Sequence, residues 1–155
     1  MDVAFHSVAR LLVVLHAVAA MVLVGAATHH AVVALGYVRG RAQVRLGRIY
    51  AATTAVAYVV TFVLGLWAYP TFRYHVRALF LDRAEPWASS WFEVKEYVAA
   101  LGLPLVVMIL GMARSIDVKA DRVLVRVYAA CAIAVAAIVW FDVLTGLVIT
   151  MVKGV

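Results

Sequence analysis

The chain has 155 residues, of which 67% are hydrophobic and only 14% charged, and it carries a net charge of +6. Because a soluble domain is roughly half apolar, this composition excludes an ordinary soluble enzyme and indicates a protein of the lipid bilayer. The excess of Lys and Arg is typical of loops on the cytoplasmic side of a membrane, and the chain has no basic module that predicts nucleic-acid binding. The single cysteine, Cys131, excludes an intrachain disulfide.

Four apolar segments predict four transmembrane helices, since a helix needs about 20 apolar residues to cross the hydrocarbon. The segments are 8–35, 49–69, 94–112 and 123–151. The small residues AVAA, which end at Ala20, could serve as a cleavage site, but the first apolar run continues well beyond them. The sequence therefore predicts an uncleaved span rather than a signal peptide. No internal repeat divides the chain. We therefore predict a single all-α domain, 1–155, forming an integral membrane four-helix bundle with a long outer loop between helices 2 and 3.

The first span contains histidines within LLVVLHAVAAMVLVGAATHHAVVALG, residues 11–36. An ionisable residue in a membrane span indicates function, because its burial in hydrocarbon is costly. At 100° per residue, His16 and His30 lie about 40° apart around the helix and roughly 21 Å apart along it. The stripe between them carries Ala20, Leu23 and Ala27, of which two are small. This arrangement suits a haem, which needs an axial imidazole and room for its macrocycle.

Positive charges predict the orientation of the bundle. The loops GYVRGRAQVRLGR and ARSIDVKADRVLVR each contain four Lys or Arg, together eight of the fourteen in the chain. The positive-inside bias places both loops in the cytoplasm and both termini outside, in a bacterial inner membrane. His29 and His6 are expected to face headgroups or water. The tryptophans all fall on the outer side, as interfacial residues do: Trp67, Trp87, Trp91 and Trp140.

The segment PTFRYHVRALFLDRAEPWASSWFEVKEY follows the second span. Its first part either continues the helix past Pro70 or lies along the membrane surface as an amphipathic piece. The second helix returns to the level of His16, so His75 can ligate the same haem. Arg73 and Arg77 flank His75 and are placed to pair with haem propionates, because arginine binds carboxylates well.

Carboxylates lie in the outer halves of the last two spans. The third span opens with WFEVKEYVAALGLP, in which Glu93 and Glu96 share one face and Lys95 points elsewhere. Asp142 lies deeper, in the fourth span, without a compensating charge nearby in sequence. Such residues in a membrane mark proton paths or ligand contacts, and we expect Asp142, Glu96 and Glu93 to serve proton movement or quinone contact. A structural alternative is that these acids pair with Lys95 or an arginine and fix the order of the helices.

Two resemblances concern the first helix. The H-x13-H spacing of His16 and His30 resembles the ligand spacing of membrane cytochromes b, which hold one haem near each membrane face. The segment LHAVAAMVLVGA is similar to the first-helix pattern of small copper-resistance-D-like membrane proteins. The first resemblance implies haem b and electron transfer, and the second implies copper handling. Cytochromes b carry a matching histidine pair on a second helix, whereas here a homodimer with facing first helices would have to supply it.

We therefore predict a haem b-binding membrane subunit that passes electrons between a quinone-type carrier and a partner protein on the outer face. His16 and His75 are the predicted ligands of the haem iron, and His30 is a further candidate cofactor-binding residue. The alternatives are a non-redox accessory or assembly subunit of a larger membrane complex, and a copper-handling protein, since histidine with carboxylates also suits metal ions. No nucleophile elbow or phosphate-binding loop occurs, so the chain is at most a redox subunit of an oxidoreductase complex.

Overall fold

The computed structural model describes residues 4–41, 43–118 and 120–153, and it confirms the four-helix membrane bundle. The helices are α1 (Ala9–Val38), α2 (Val44–Thr71), α3 (Pro86–Ser115) and α4 (Arg122–Val152). All four are long and apolar enough to cross a membrane. Most of them extend beyond the apolar segments, because polar and aromatic flanks continue a helix through headgroup depth.

The helices form an antiparallel square. Helix α1 packs against α2 and α4, and α3 packs against the same two helices. Because successive helices alternate in direction, both ends of the described chain lie at one end of the bundle. We name this end the terminal face, and the opposite end, with the connections 39–43 and 116–121, the loop face.

The interior of the bundle is built from small residues. Alanines occupy much of the buried core, among them Ala27, Ala34, Ala51 and Ala132. Larger Val, Leu and Met side chains, by contrast, are widely exposed on the outside of the helices. This is the distribution expected in lipid, where small residues allow helix backbones to approach closely and the surface can be as apolar as the core.

The segment predicted as a long outer loop is helical. After Thr71 the chain continues as a π-helix, Phe72–Leu81, and one α-turn, Asp82–Ala84, so that only Glu85 separates it from α3. The helix therefore continues past Pro70, which was one of the two sequence-based alternatives. The physical reason is packing: the extension buries Val76 and Leu81 against α3 and α4.

These contacts form a small second core at the terminal face. It consists of Val76, Leu81, Ala88 and Ile149, with aromatic side chains packed around it. The extension of α2 thus packs on α3 and α4 at the terminal end of the bundle.

Candidate functional site

Four polar side chains, one from each helix, lie between the middle and the terminal end of the bundle. We name them the interior polar cluster: His16 of α1, Tyr58 of α2, Lys95 of α3 and Asp142 of α4. Lys95 interacts electrostatically with both His16 and Asp142, and Asp142 also interacts with Tyr58. The sequence analysis predicted two of the four, His16 and Asp142, as site residues.

His16 faces the interior and is fixed by the backbone of α2. Its Nδ1 lies 2.9 Å from the carbonyl oxygen of Thr61. Because a carbonyl can only accept, Nδ1 carries the proton, and the lone pair of a neutral His16 ring is on Nε2. Ligating histidines in metal and haem sites are held in this way, with the second ring nitrogen donating to a carbonyl or carboxylate. His16 therefore has the tautomer of an Nε2 ligand.

Asp142 and Lys95 lie at matching depth. Lys95 comes nine residues after Pro86 and Asp142 ten residues before Val152, so each is about 14–15 Å from the terminal end of its helix. Oδ1 of Asp142 is buried and has no hydrogen-bond partner. No ion pair within 4.0 Å joins Asp142 to Lys95 or to another cation of the described residues. The carboxylate and the ammonium are therefore neighbours that do not touch.

Three members of the interior polar cluster each lie against a glycine of the next helix. A β-carbon on Gly65 of α2 would lie 3.2 Å from Cε1 of His16, and one on Gly146 of α4 would lie 3.5 Å from Cε of Lys95. A β-carbon on Gly102 of α3 would collide with the hydroxyl of Tyr58. That hydroxyl donates to the carbonyl oxygen of Ala99 at 2.7 Å. Glycine thus gives His16 and Tyr58 access to a neighbouring backbone, and at Gly146 it leaves room for the side chain of Lys95.

His30 lies on the same inward stripe as His16 but near the loop face. It is fully buried, and its Nε2 is 2.7 Å from the hydroxyl of Tyr128. Tyr37 stacks on Tyr128 and donates to the carbonyl oxygen of Gln43. Nδ1 of His30 has no hydrogen-bond partner. The nitrogen that commonly ligates haem iron is thus engaged by Tyr128, and a cofactor role for His30 stays a prediction.

The structure does not bring His75 to His16. His75 lies beside His6, with 4.7 Å between the ring centroids. His16 contacts α2 at Thr61 and Gly65, ten residues before His75, which corresponds to roughly 15 Å of helix. Joint ligation of one haem iron by His16 and His75 stays a prediction, and it requires the extension of α2 to move.

The remaining predicted residues form a charged cluster at the terminal face. Arg77 pairs with Glu93, and its Nε lies 3.7 Å from Oδ1 of Asp82. Glu96 is half-buried and interacts electrostatically with Arg77, Lys95, Glu93 and Arg73. Arg77 is thus paired with carboxylates of the protein. Arg73 is exposed, so it can pair with a propionate or another anion.

Part of this charged cluster lines a cleft at the terminal face, which we name the terminal cleft. Its volume is about 400 Å³, and its lining residues are Tyr69, Arg73, Arg77, Ala78, Asp82 and Glu93. Glu96 lies next to the cleft on the side of the interior. None of the four residues of the interior polar cluster lines this cleft.

Two further predictions concern His29 and a metal-ion site. His29 is exposed, donates from Nδ1 to the carbonyl oxygen of Gly25 at 2.7 Å, and stacks on Tyr50. This fits its predicted position outside the site. Within residues 4–41, 43–118 and 120–153, no group of three or more His, Cys, Asp or Glu side chains is arranged to hold a metal ion.

Sequence reasoning missed Tyr58 and the three facing glycines, and it named Lys95 only in the structural alternative, as a partner of the acids. Lys95 interacts electrostatically with Glu96 and Asp142, without an ion pair to either within 4.0 Å among the described residues. A signal for this was available, because Lys95 and Asp142 lie at equal depth on antiparallel neighbours. The chain matches no protein-family model, no curated protein and no solved structure.

Proposed function

We propose that the protein is a redox subunit of the bacterial inner membrane that passes electrons between a quinone-type carrier and a partner protein on the outer face, with haem b as its cofactor. The observation that carries the proposal is the state of His16. This ring lies inside the membrane, donates from Nδ1 to the Thr61 carbonyl and keeps its Nε2 lone pair for a metal.

The feature of this chain that fits a haem is the tautomer of His16. When bound, haem supplies one-electron transfer. Arg73, which is exposed at the terminal cleft, is a cation that can pair with a propionate. Because His75 lies beside His6, the second axial ligand is not assigned, and no step depends on it.

The chain's own acids suit the proton chemistry of a quinone-type carrier. Quinone reduction and quinol oxidation move protons together with electrons, so a site for such a carrier needs groups that exchange protons. Asp142 has a buried oxygen without a partner, Glu93 lines the terminal cleft, and Glu96 interacts electrostatically with Glu93 and with Lys95.

The proposal is tested by a reduced-minus-oxidised absorption spectrum of protein purified in mild detergent from haem-supplemented cells, with a pyridine haemochrome assay. We expect a b-type signal that is lost in His16→Ala. His29→Ala is the matched control, because His29 is also on α1 and also donates from Nδ1 to a backbone carbonyl. A colourless wild-type protein, or an unchanged signal in His16→Ala, contradicts the proposal. Bound copper without a Soret band would favour copper handling.

A second candidate is a non-redox accessory or assembly subunit of a larger membrane complex. It is supported by a lipid-facing groove of about 470 Å³ between α1 and α2, since small residues are enriched where membrane helices associate. The groove is lined by Ala19, Val22, Ala52, Thr53, Val56, Ala57 and Val60. This candidate expects a colourless protein whose migration with a larger complex in native gels is weakened by Ala52→Leu and unchanged by Ala130→Leu, an exposed position on α4.

A further inference from the structure

A row of charged side chains leads from the terminal cleft into the bundle. Arg77 and Glu93 line the cleft. Glu96 is the next group inward, and it interacts electrostatically with Arg77 on one side and with Lys95 on the other. Lys95 in turn interacts with Asp142. Each group in the row is thus linked to the next by charge.

The inner end of this row is deep in the apolar part of the bundle. Asp142 lies about 15 Å from the terminal end of α4, and the neighbouring Leu144 is exposed on the outside of the helix. Charged groups at such depth are costly in hydrocarbon and are retained where they pair with each other or line a water-filled path. Lys95 and Asp142 do not form a direct ion pair, so pairing alone does not account for them.

A bridging group between Lys95 and Asp142 would satisfy the hydrogen-bonding atoms of both side chains. Oδ1 of Asp142 is a buried acceptor without a partner, and buried acceptors in folded proteins are nearly always satisfied by protein or by water. Lys95 offers three donors, and its nitrogen lies 5.7 Å from the centroid of the Phe92 ring. Water is the smallest group that accepts from Lys95 and donates to Asp142.

We infer that the row Glu96–Lys95–Asp142, joined by water, is a proton path that connects the interior polar cluster with the terminal cleft. Among the described residues, the titratable groups that interact electrostatically with Asp142 are Lys95 and Tyr58, both of the interior polar cluster. His16 joins the same cluster through Lys95.

The use of the path, though not its existence, rests on the proposed function. Oxidation of a quinol to a quinone breaks two O–H bonds and releases two protons and two electrons. The electrons go to the redox partner protein, and the path gives the protons an exit to the terminal face. Lys95 is in this view a positioning residue, which holds water at Asp142 and does not itself touch the carrier.

The path is tested by the accessibility of cysteines to silver ions, which are small and enter water-filled routes. The background is Cys131→Ser, and the probes are Asp142→Cys and Gly146→Cys. A β-carbon on Gly146 makes only an ordinary contact, so Gly146→Cys keeps the fold and keeps Asp142. Leu144→Cys is the control, because its side chain faces lipid. Protein in proteoliposomes is exposed to silver from one side, then unfolded, and the remaining thiols are labelled with a fluorescent maleimide.

We expect both probes to be blocked at least about tenfold faster than Leu144→Cys from the terminal side, because thiols ionise and react only where water reaches them. Adding Lys95→Met should slow the reaction of Gly146→Cys by a similar factor. Lys153→Met is the matched control, since Lys153 also lies over a phenylalanine ring, at 5.6 Å from Phe80, but outside the row. Equal rates for probes and control, or reaction only from the loop side, overturn the path. An unchanged rate with Lys95→Met overturns the part assigned to Lys95.

These results are independent of the absorption spectrum. A colourless protein with reactive probes would support the proton path and contradict haem binding. A haem signal with unreactive probes would contradict the path and support haem binding.

Discussion

Polar side chains in this bundle lie against glycines, and this pairing fixes where the helices meet. Tyr58 reaches the Ala99 carbonyl because Gly102, three residues later on the same helix, has no side chain. His16 likewise lies against Gly65 and reaches the carbonyl oxygen of Thr61 on the same helix. A polar residue in an apolar helix needs a partner on a neighbour, and a facing glycine exposes the backbone that provides one.

Gly102→Ala should therefore destabilise the bundle. The new methyl group overlaps the ring and hydroxyl of Tyr58, so the tyrosine must leave its position and the hydrogen bond to Ala99 is lost. We expect a cost of about 1–3 kcal/mol, seen as a lower thermal unfolding midpoint in detergent. Gly111→Ala on the same helix is the control, because a β-carbon there meets nothing within 4 Å. Equal midpoints for the two variants would show that Tyr58 does not occupy this position.

Tyr128→Phe tests the buried pair at the loop face. Removal of the hydroxyl leaves both nitrogens of His30 without partners in the core, and an unsatisfied buried polar group costs about 1–3 kcal/mol. Thermal unfolding should detect this loss, whereas Tyr97→Phe, at an exposed position, should leave the midpoint unchanged. A haem signal altered by Tyr128→Phe and retained by Tyr97→Phe would instead assign His30 to the cofactor.

Among the elements, the extension of α2 departs most from expectation. Its sequence mixes charged and aromatic residues without the apolar run of a membrane span, so hydropathy alone could not separate a helix from a loop. Tertiary contacts decide the matter, because Val76 and Leu81 are buried against α3 and α4. Because the extension packs on α3 and α4, it places His75 beside His6 and away from His16.

Leu81→Ala is a direct test of this element. Leu81 is fully buried, so truncation should cost about 2–5 kcal/mol. Leu79, two residues earlier, is 46% exposed, and Leu79→Ala should have little effect. We expect the midpoint of thermal unfolding to fall for Leu81→Ala alone. Similar behaviour of both variants would mean that the segment lies on the membrane surface without packing on the bundle.

At the scale of the whole molecule, the number of helices and their antiparallel order follow from hydropathy and loop length. The four apolar segments, the inward stripe with His16 and His30, and the depth of Asp142 were all available from spacing. The separation of His16 from His75 was not, because it depends on which neighbour each helix face meets. Sequence periodicity defines a face of one helix, whereas a site of four helices depends on their mutual rotation.

The orientation of the molecule is predicted by charge, because Lys and Arg are retained on the cytoplasmic side. The loop face carries eight of the fourteen, so the interior polar cluster and its terminal cleft should open to the outside. In the Cys131→Ser background, Ala84→Cys at the terminal face and Gln43→Cys at the loop face are exposed probes. A membrane-impermeant maleimide should label Ala84→Cys in spheroplasts and label Gln43→Cys only after permeabilisation. The reverse pattern would place the cleft in the cytoplasm, and a redox partner would then have to bind on that side.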